Sequence, residues 1–308
     1  MIKTVQLTKK YGRLTALNAL DLQVEKGSLF GFIGPNGAGK TTTLRLLAGL
    51  LEPTSGQIWF DDQEISHDPG EARWQVGYMP DFFGVYEDMK VWEYLDFFAR
   101  CYHLTPDHRR RTVDELLELV DLTHKRDEWV ESLSRGMRQR LCLAHALVHD
   151  PQILLLDEPA SGLDPRARIE MRELLKELST MGKTILISSH ILAELAEMCD
   201  HIGVVEKGQL LYNGPVQRLN RQLHSQRQIR LRSLSPDDAV ETALAHYPGV
   251  ADAEPNKNGW EIGLTGDDES VAGLLTHLIN HNIRITHFTE TTSDLESVFL
   301  QITTGVVE

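Results

Sequence analysis

Residues 28–42 read SLFGFIGPNGAGKTT, an apolar run that leads into a glycine-rich loop. The loop contains the pattern G-x-x-x-x-G-K-[ST] at Gly34, Gly39, Lys40 and Thr41, and a helical pattern follows it directly. Strand, glycine loop and helix in this order are typical of a phosphate-binding loop. Glycines let backbone N–H groups approach phosphates, and the helix N-terminus adds a partial positive charge. The stretch therefore predicts a nucleotide site in an α/β fold, in preference to a glycine turn that only caps a helix.

Two side chains of the loop have specific expected roles. Lys40 is expected to reach the β- and γ-phosphates, and the Thr41 hydroxyl to bind Mg²⁺. The sequence thus predicts ATP and Mg²⁺ as cofactors.

An acidic pair follows a second apolar run. Residues 153–156 (ILLL) predict a buried strand, and Asp157 and Glu158 stand at its carboxyl end, the edge where ligands bind in open α/β sheets. Alone, such a pair is more often the start of a loop. With a phosphate loop upstream, Asp157 suits indirect Mg²⁺ ligation, and Glu158 suits positioning or deprotonation of the attacking water.

Composition limits the possible partners. The chain has 308 residues, with 31 Lys and Arg against 45 Asp and Glu, a net charge of −14. This acidity argues against a broad nucleic-acid footprint, so no nucleic-acid partner is expected. Three widely spaced cysteines predict free thiols in a reducing compartment. No apolar run resembles a signal peptide or a membrane span, so we expect a cytoplasmic protein that reaches membranes through a partner.

The length favours two domains at about 150 residues each. Residues 1–217 combine strand-like apolar runs with a helical stretch at about 85–149, which predicts a parallel-sheet P-loop NTPase core with a helical subdomain. Residues 218–228 are polar and aperiodic, which favours a linker. The order βαββαβ in residues 229–308 predicts a small ferredoxin-like α+β domain, and it contains no catalytic motif.

Further motifs carry a family resemblance. LSRGM (133–137) precedes DEPASGLDP (157–165), and SSH (188–190) follows the next apolar run. Together with GPNGAGKTT (34–42), this order resembles the nucleotide-binding subunit of an ATP-binding cassette (ABC) transporter over residues 1–215. The resemblance implies an ABC-type ATPase core that pairs with a second ATP-binding subunit, identical or homologous, and with a membrane permease.

The resemblance also implies roles for single residues. Tyr11 would stack on adenine, although an ordinary buried tyrosine is the alternative. Ser134 and Gly136 would bind the γ-phosphate of ATP held by the opposite subunit, in a head-to-tail dimer. Asp164 would communicate between the two sites, although helix capping explains its type equally well. His190 would hold the γ-phosphate and the water, whereas a lone histidine is otherwise more often structural.

The complete expected site is large. The catalytic residues are Lys40, Glu158 and His190; the nucleotide contacts are Tyr11, Gly34, Pro35, Asn36, Gly37, Ala38, Gly39, Lys40, Thr41, Thr42, Asp81, Ser134, Gly136, Asp157 and Asp164; the Mg²⁺ ligands are Thr41, Asp81 and Asp157.

Three positions depart from the family pattern. Asp81 stands where the family usually has a glutamine, and it adds a negative charge beside the phosphates that cannot donate a hydrogen bond while ionised. In the signature, Arg135 replaces a glycine and Met137 a glutamine. The retained Ser134 and Gly136 predict that the signature still functions.

Residues 82–98 are rich in aromatics, most of which helical spacing assigns to the core of the helical subdomain. In the family, this region also receives a short helix of the permease, so Phe82, Phe83, Val85 or Tyr86 are expected to contact that partner. The tail at 292–303 resembles exporter-type subunits, including those of multidrug and antibiotic-resistance exporters.

We therefore expect the ATPase subunit of an ABC exporter, bound to a permease at the inner face of the cell membrane. The alternative is an ABC-type ATPase that acts on ribosomes or DNA. One phosphate loop, the lack of a heptad run and the acidic charge argue against it. A third possibility, that the C-terminal domain senses a small molecule, is compatible with transport. His277 and His281 have helical i, i+4 spacing but no obvious third metal ligand.

Overall fold

Strands and helices alternate through the first two thirds of the chain, as the glycine loop and apolar runs predict. The computed structural model describes residues 1–66, 69–82, 84–216, 227–256 and 259–291. The chain divides into two compact units, Met1–Val216 and Gln217–Glu308. In chain order the first unit contains β1 (Ile2–Tyr11), β2 (Leu14–Leu20), β3 (Gln23–Val24), β4 (Leu29–Ile33), α1 (Lys40–Leu47), β5 (Ser55–Phe60), β6 (Gln63–Glu64), α2 (Pro69–Gln75), β7 (Val76–Met79), α3 (Val91–Cys101), α4 (Pro106–Leu119), α5 (Arg135–Leu147), β8 (Ile153–Asp157), α6 (Pro165–Thr180), β9 (Thr184–Ser189), α7 (Leu192–Ala196), β10 (His201–Glu206) and β11 (Gln209–Pro215).

A six-stranded sheet, in the order β11-β10-β4-β9-β8-β7, forms the centre of this unit. Its strands are parallel except β11, which pairs antiparallel with β10. Every residue of β4, β8 and β9 is buried. Near-continuous apolar strands are expected where helices or a second layer cover both faces of a parallel sheet.

A second, antiparallel sheet contains β2, β1, β5 and β6 in that order, with β3 paired to β1. Side chains of this sheet, of the parallel sheet and of α1 form one buried cluster that includes Ile2, Phe32 and Leu44. This shared core holds the phosphate-loop helix between the two sheets.

The helical subdomain contains α3, α4 and α5, with two 3₁₀ turns at Thr123–Lys125 and Val130–Ser132. Helix α4 begins at Pro106, and its first buried residue is Val113. Thr105 occupies the N-cap position without a side-chain capping bond, and the proline at the first helical position favours helix initiation.

The second unit contains β12 (Arg227–Ser233), α8 (Asp237–Ala245), β13 (Val250–Asn256), β14 (Gly259–Leu264), α9 (Asp268–Asn280) and β15 (Ile285–Thr291). The order of the antiparallel sheet is β13-β14-β12-β15, the pairing of a ferredoxin-like βαββαβ fold. Residues of α8, α9 and the sheet share one core around Leu231, Trp260 and Leu274. Strand β12 begins at Arg227, inside the segment 218–228 that was expected to be linker.

Candidate nucleotide site

The residues expected to carry the chemistry follow neighbouring strands of the parallel sheet. Gly34 follows β4, Asp81 lies just after β7, Glu158 follows β8, and His190 follows β9. These strands are adjacent in the sheet, so their carboxyl ends meet at one edge. A cavity of about 470 Å³ opens there, lined by Tyr11, Leu14, Thr15, Ala16, Pro35, Asn36, Gly37, Gly39, Lys40, Thr41, Thr42, Asp81, Glu158 and Lys207.

The phosphate loop is shaped by close backbone packing. Gly39 has φ +109°, and a Cβ there would lie 2.8 Å from the Ala16 carbonyl oxygen, so only glycine fits. Lys40, only 6% exposed, donates from Nζ to the carbonyl oxygens of Gly34 (2.7 Å) and Pro35 (3.3 Å). Burial lowers the pKa of the Lys40 ammonium, and the charges of Glu158 and Asp157 oppose that shift.

Asp157 is held by a neighbouring strand. The β8–β9 register places Asp157 beside Ser188, whose hydroxyl donates to Asp157 Oδ1 at 2.6 Å. The same hydroxyl accepts from the Glu158 N–H at 3.0 Å. Asp157 is 1% exposed, and its Oδ2 has no hydrogen-bond partner among the described residues. Because buried carboxylate oxygens are normally satisfied, this atom marks a place suited to a cation or a water molecule.

Glu158 lies between Lys40 and His190. Its Oε1 is 3.6 Å from Lys40 Nζ, and its Oε2 is 2.7 Å from His190 Nδ1. The Glu158 backbone has φ +49°, a left-handed conformation that is unusual for a non-glycine residue and typical of constrained sites. The Lys40 ammonium and the His190 imidazole are therefore both within contact distance of one carboxylate. Lys40 and Glu158 line this cavity, whereas His190 lines a smaller neighbouring cavity that Glu158 shares.

The walls of the cavity contain Tyr11 and Asp81. Tyr11 is 46% exposed, not buried as the alternative interpretation requires, and Lys9 Nζ lies 5.3 Å from its ring centroid. An exposed ring is available for stacking.

The residues expected to act across the dimer do not line this cavity and lie at the N-termini of two other helices. Ser134 caps α5, and its hydroxyl accepts from the Met137 N–H at 3.3 Å. Asp164 caps α6 through the Ala167 N–H at 2.9 Å, so the capping interpretation of Asp164 applies to this chain. Gly136 faces α6, where a Cβ would lie 3.1 Å from the Ala167 Cβ.

Arg135, which replaces the first signature glycine, contacts the loop that follows Glu158. Its guanidinium donates to the Ser161 carbonyl oxygen at 3.0 Å and covers Gly162, where a Cβ would lie 2.5 Å from the guanidinium carbon. The substitution therefore links the signature to the loop before α6.

The aromatic stretch at 82–98 is divided in the structure. Tyr94 is buried and Phe98 stacks on His145, as expected for subdomain core. Phe82 is 89% exposed and Tyr86 is also exposed, whereas Phe83 lies outside the described residues. A groove of about 580 Å³ separates this segment from the start of α5, lined by Asp81, Phe82, Gly84, Val85, Glu87, Leu133, Arg135 and Arg138.

His277 in α9 and His281, which follows its last residue, contact backbone oxygens. His277 Nε2 lies 3.0 Å from the Ala243 carbonyl oxygen, and His281 Nδ1 lies 2.9 Å from the His277 carbonyl oxygen. Across the described ranges, no group of three or more His, Cys, Asp or Glu side chains is arranged to hold a metal ion. In the same residues, no helix combines the length and the apolar character needed to span a bilayer.

Sequence reasoning missed three contributors to the site. Ser188 was part of a recognised motif, but its bonds to Asp157 and Glu158 depend on strand register. The wall formed by Leu14, Thr15 and Ala16, and the rim residue Lys207, are distant in sequence from the phosphate loop. Gly208, the residue after Lys207, is a local sequence signal of a tight turn there.

Comparisons with known proteins agree with this geometry. Residues 17–161 match the family "ABC transporter", and residues 214–303 match "ATP-binding protein DrrA1-3-like, C-terminal domain". The bacitracin transport ATP-binding protein BcrA of Bacillus licheniformis is 34% identical over 99% of this chain and 98% of its own. The linearmycin resistance ATP-binding protein LnrL of Bacillus subtilis is 30% identical, over 98% of each chain.

Solved structures show the same fold. The post-hydrolysis dimer of the cassette MJ0796 bound to ADP and phosphate has a TM-score of 0.64 and 26% identity, and it covers 70% of this chain and 99% of its own. The ADP form of MJ1267, a second ABC transporter cassette, has a TM-score of 0.65 and 25% identity, over 71% and 94% of the two chains. The ABC-type α/β fold and the ATP-binding ATPase function expected from the motifs are therefore confirmed, and the chain belongs to the family of ABC transporter ATP-binding subunits.

Proposed function

We propose that this ATPase subunit powers an exporter, and that Lys40, Glu158 and His190 are its catalytic residues. The observation that carries the catalytic assignment is that Glu158 contacts both of the other residues, at 3.6 Å from Lys40 and 2.7 Å from His190. Export is supported by the similarity to bacitracin transport and linearmycin resistance proteins, and to Nod factor export protein I of Cupriavidus pinatubonensis (42% identical over 68% of this chain and 64% of that protein).

Phosphate binding follows from the loop. Backbone N–H groups of residues 36, 37 and 39–42 and the N-terminus of α1 supply positive potential, and Lys40 adds a buried ammonium. Such preorganised donors stabilise the charge that develops on the phosphoryl oxygens in the transition state. Tyr11 stacks on the base at the opposite wall of the cavity.

Water activation is the role of Glu158 and His190. With its carboxylate ionised, Glu158 accepts the Nδ1–H of His190, which fixes the imidazole tautomer and orients the ring. The carboxylate also orients or deprotonates the attacking water. The positive charge of Lys40 offsets part of the negative charge beside it. ATP and water are converted to ADP and phosphate.

The donor set also fits Mg²⁺. Asp157 Oδ2 is a buried carboxylate oxygen without a hydrogen-bond partner among the described residues, and Thr41 and Asp81 line the neighbouring cavity. These three residues would hold the ion, with Asp157 acting through water. A bound Mg²⁺ neutralises charge on the β- and γ-phosphates.

Assembly completes the proposed site. Ser134 and Gly136 bind the γ-phosphate held by a second ATP-binding subunit, which pairs head to tail with this one. Phe82 and Tyr86, both exposed beside the groove before α5, contact a membrane permease. The subunit is thereby held at the cytoplasmic face of the membrane.

Two substitutions test the catalytic assignment. Glu158→Gln is expected to bind ATP normally and to lower the steady-state ATPase rate by about a hundredfold or more, since it removes a general base. Lys40→Ala is expected to weaken nucleotide binding. Glu177→Gln on the exposed face of α6 and Lys26→Ala are matched controls. Near-normal turnover by Glu158→Gln, or an unchanged dissociation constant for Lys40→Ala, would contradict the assigned roles.

Copurification tests the transporter assignment. Tagged protein from detergent-solubilised native membranes is expected to bring a stoichiometric polytopic membrane protein, identified by mass spectrometry. Phe82→Glu should reduce that yield without affecting ATP binding, whereas Met181→Glu, another exposed apolar position, should not. Recovery of ribosomal proteins, nucleic acid or no partner would refute the transporter role and leave the ATPase chemistry standing.

A further inference from the structure

A tight turn between β10 and β11 forms part of the cavity rim. Lys207 has φ +46° and Gly208 φ +77°, and Lys207 is one of the cavity-lining residues. None of the transporter motifs includes this residue, and it lies more than 160 residues after the phosphate loop.

The turn is fixed to two parts of the nucleotide cavity. The Gly208 N–H donates to the Ala38 carbonyl oxygen of the phosphate loop at 2.9 Å, and the Gly208 carbonyl oxygen accepts from the Asn18 N–H at 2.9 Å. A Cβ at Gly208 would lie 2.6 Å from the Ala16 carbonyl oxygen, so the close approach requires glycine. The position of Lys207 is therefore set by the same backbone groups that shape the phosphate loop.

The turn lies between two parts of the cavity, the phosphate loop and the wall near Tyr11. Gly208 Cα would be 3.6 Å from a Cβ at Gly39, and Gly208 also contacts Ala16 in the wall that continues to Tyr11. The turn therefore lies where the Tyr11 wall, which is proposed to bind the base, meets the phosphate loop. A nucleotide with its base on Tyr11 and its β- and γ-phosphates in the phosphate loop would have its α-phosphate at this junction.

The charged side chains of the cavity also favour a phosphate near Lys207. The cations that line the cavity are Lys40 and Lys207, against the carboxylates of Asp81 and Glu158. Lys40 is buried and bonded to loop carbonyl oxygens beside Glu158. The exposed Lys207 ammonium makes no hydrogen bond or ion pair with the part of the chain that the structure describes. In a chain of net charge −14, this lysine is the cation available to an anion at the rim.

We infer that Lys207 is a nucleotide-binding residue that contacts the α-phosphate. This inference rests on the proposed role of the cavity as the ATP site. It predicts equal contributions of Lys207 to ATP and ADP binding, because both carry the α-phosphate, whereas Lys40 discriminates through the β- and γ-phosphates.

The test is calorimetric titration of the full chain with ATP and with ADP, without divalent metal ions so that no turnover occurs. Lys207→Ala is expected to weaken both nucleotides by the same factor, about three- to tenfold, since an exposed charge-assisted contact is lost. Lys207→Arg should stay within about twofold of the wild type, because the charge is kept. The Lys207→Ala protein should also show a smaller loss of affinity between low and high salt.

Lys26→Ala, which removes an exposed lysine outside the cavity, is the control for net charge. If Lys207→Ala binds both nucleotides as tightly as Lys26→Ala does, the inference is wrong. A loss confined to ATP would assign the contact to the γ-phosphate and overturn the α-phosphate assignment. An unchanged salt dependence would indicate a packing effect and would also overturn it. If Lys40→Ala leaves binding unaffected as well, the proposed site itself fails, which separates the two failures.

Discussion

Replacement of Ser188 by alanine is expected to destabilise the first unit by removing the support of a buried carboxylate. The Ser188 hydroxyl donates to Asp157 Oδ1 at 2.6 Å and accepts from the Glu158 N–H at 3.0 Å. The Glu158 N–H keeps a second acceptor, the Ser188 carbonyl oxygen at 3.2 Å. The Asp157 carboxylate, in contrast, keeps no second donor, because its Oδ2 already lacks a partner among the described residues.

The magnitude follows from these contacts. A hydrogen bond to a charged group contributes about 1.5–3 kcal/mol, and a buried charged group left without its partner costs at least as much. Because Asp157 is almost completely buried, little water can replace the hydroxyl. We expect Ser188→Ala to lower the free energy of unfolding by about 2–3 kcal/mol.

Urea denaturation followed by tryptophan fluorescence measures this change. Four of the five tryptophans lie in the first unit, so fluorescence reports mainly on its unfolding. Ser189→Ala is the control, because the Ser189 hydroxyl accepts only a backbone bond, from the Ile191 N–H at 3.0 Å, and should cost about 1 kcal/mol or less. If the two variants differ by less than about 0.5 kcal/mol, the reasoning about Asp157 is refuted.

Burial, assisted by the neighbouring His149, lowers the pKa of His145 to about 4 from 6.5. The contribution of His145 to the free energy of unfolding is therefore full above pH 6.5 and is lost as the pH falls towards 4. Between pH 7.5 and 5, the free energy of unfolding of His145→Gln should fall by about 2 kcal/mol less than that of the wild type in urea titrations. Equal losses would exclude His145 as the source. Gly162→Ala should cost about 1–2 kcal/mol in the same assay, because alanine strains a residue at φ +66° and displaces the Arg135 guanidinium from the Ser161 carbonyl oxygen. In an Arg135→Gly background, the cost should fall by about 0.5 kcal/mol as a coupling energy, and strict additivity of the two changes would argue against that contact.

The sequence predicted the parallel core well, because its strands are continuous apolar runs and its first loop has a chemical signature. It did not predict the antiparallel sheet of β1, β2 and β3, for a physical reason. Register shifts interrupt the β1–β2 pairing, and Gln6 and Ala19 both have positive φ angles, so the alternation of buried and exposed residues is lost. Periodicity is a weak signal for bulged strands.

The roles of the site residues stay predictions, and the sequence predicted only part of their placement. Local motifs identified Lys40, Asp157 and Glu158, because each motif contains its own chemistry. The bonds of Ser188 and the position of Lys207 depend on which strands pair and in which register, and no local pattern encodes that pairing. The contact of Arg135 with Gly162 likewise requires the approach of α5 to the loop before α6.

The meeting of four strand ends at one edge also affects folding. Residues 34, 81, 158 and 190 are brought together only when the sheet has formed in its final order, so a partly folded chain does not present the complete site. ATP therefore binds the native state preferentially and stabilises it by mass action. At a nucleotide concentration about a thousand times the dissociation constant, this linkage adds about 4 kcal/mol, comparable to a large share of the stability of an ordinary domain. ATP would then protect the subunit against unfolding as well as drive its turnover. A fall in cellular ATP would shorten the lifetime of the protein before it limited the rate of transport.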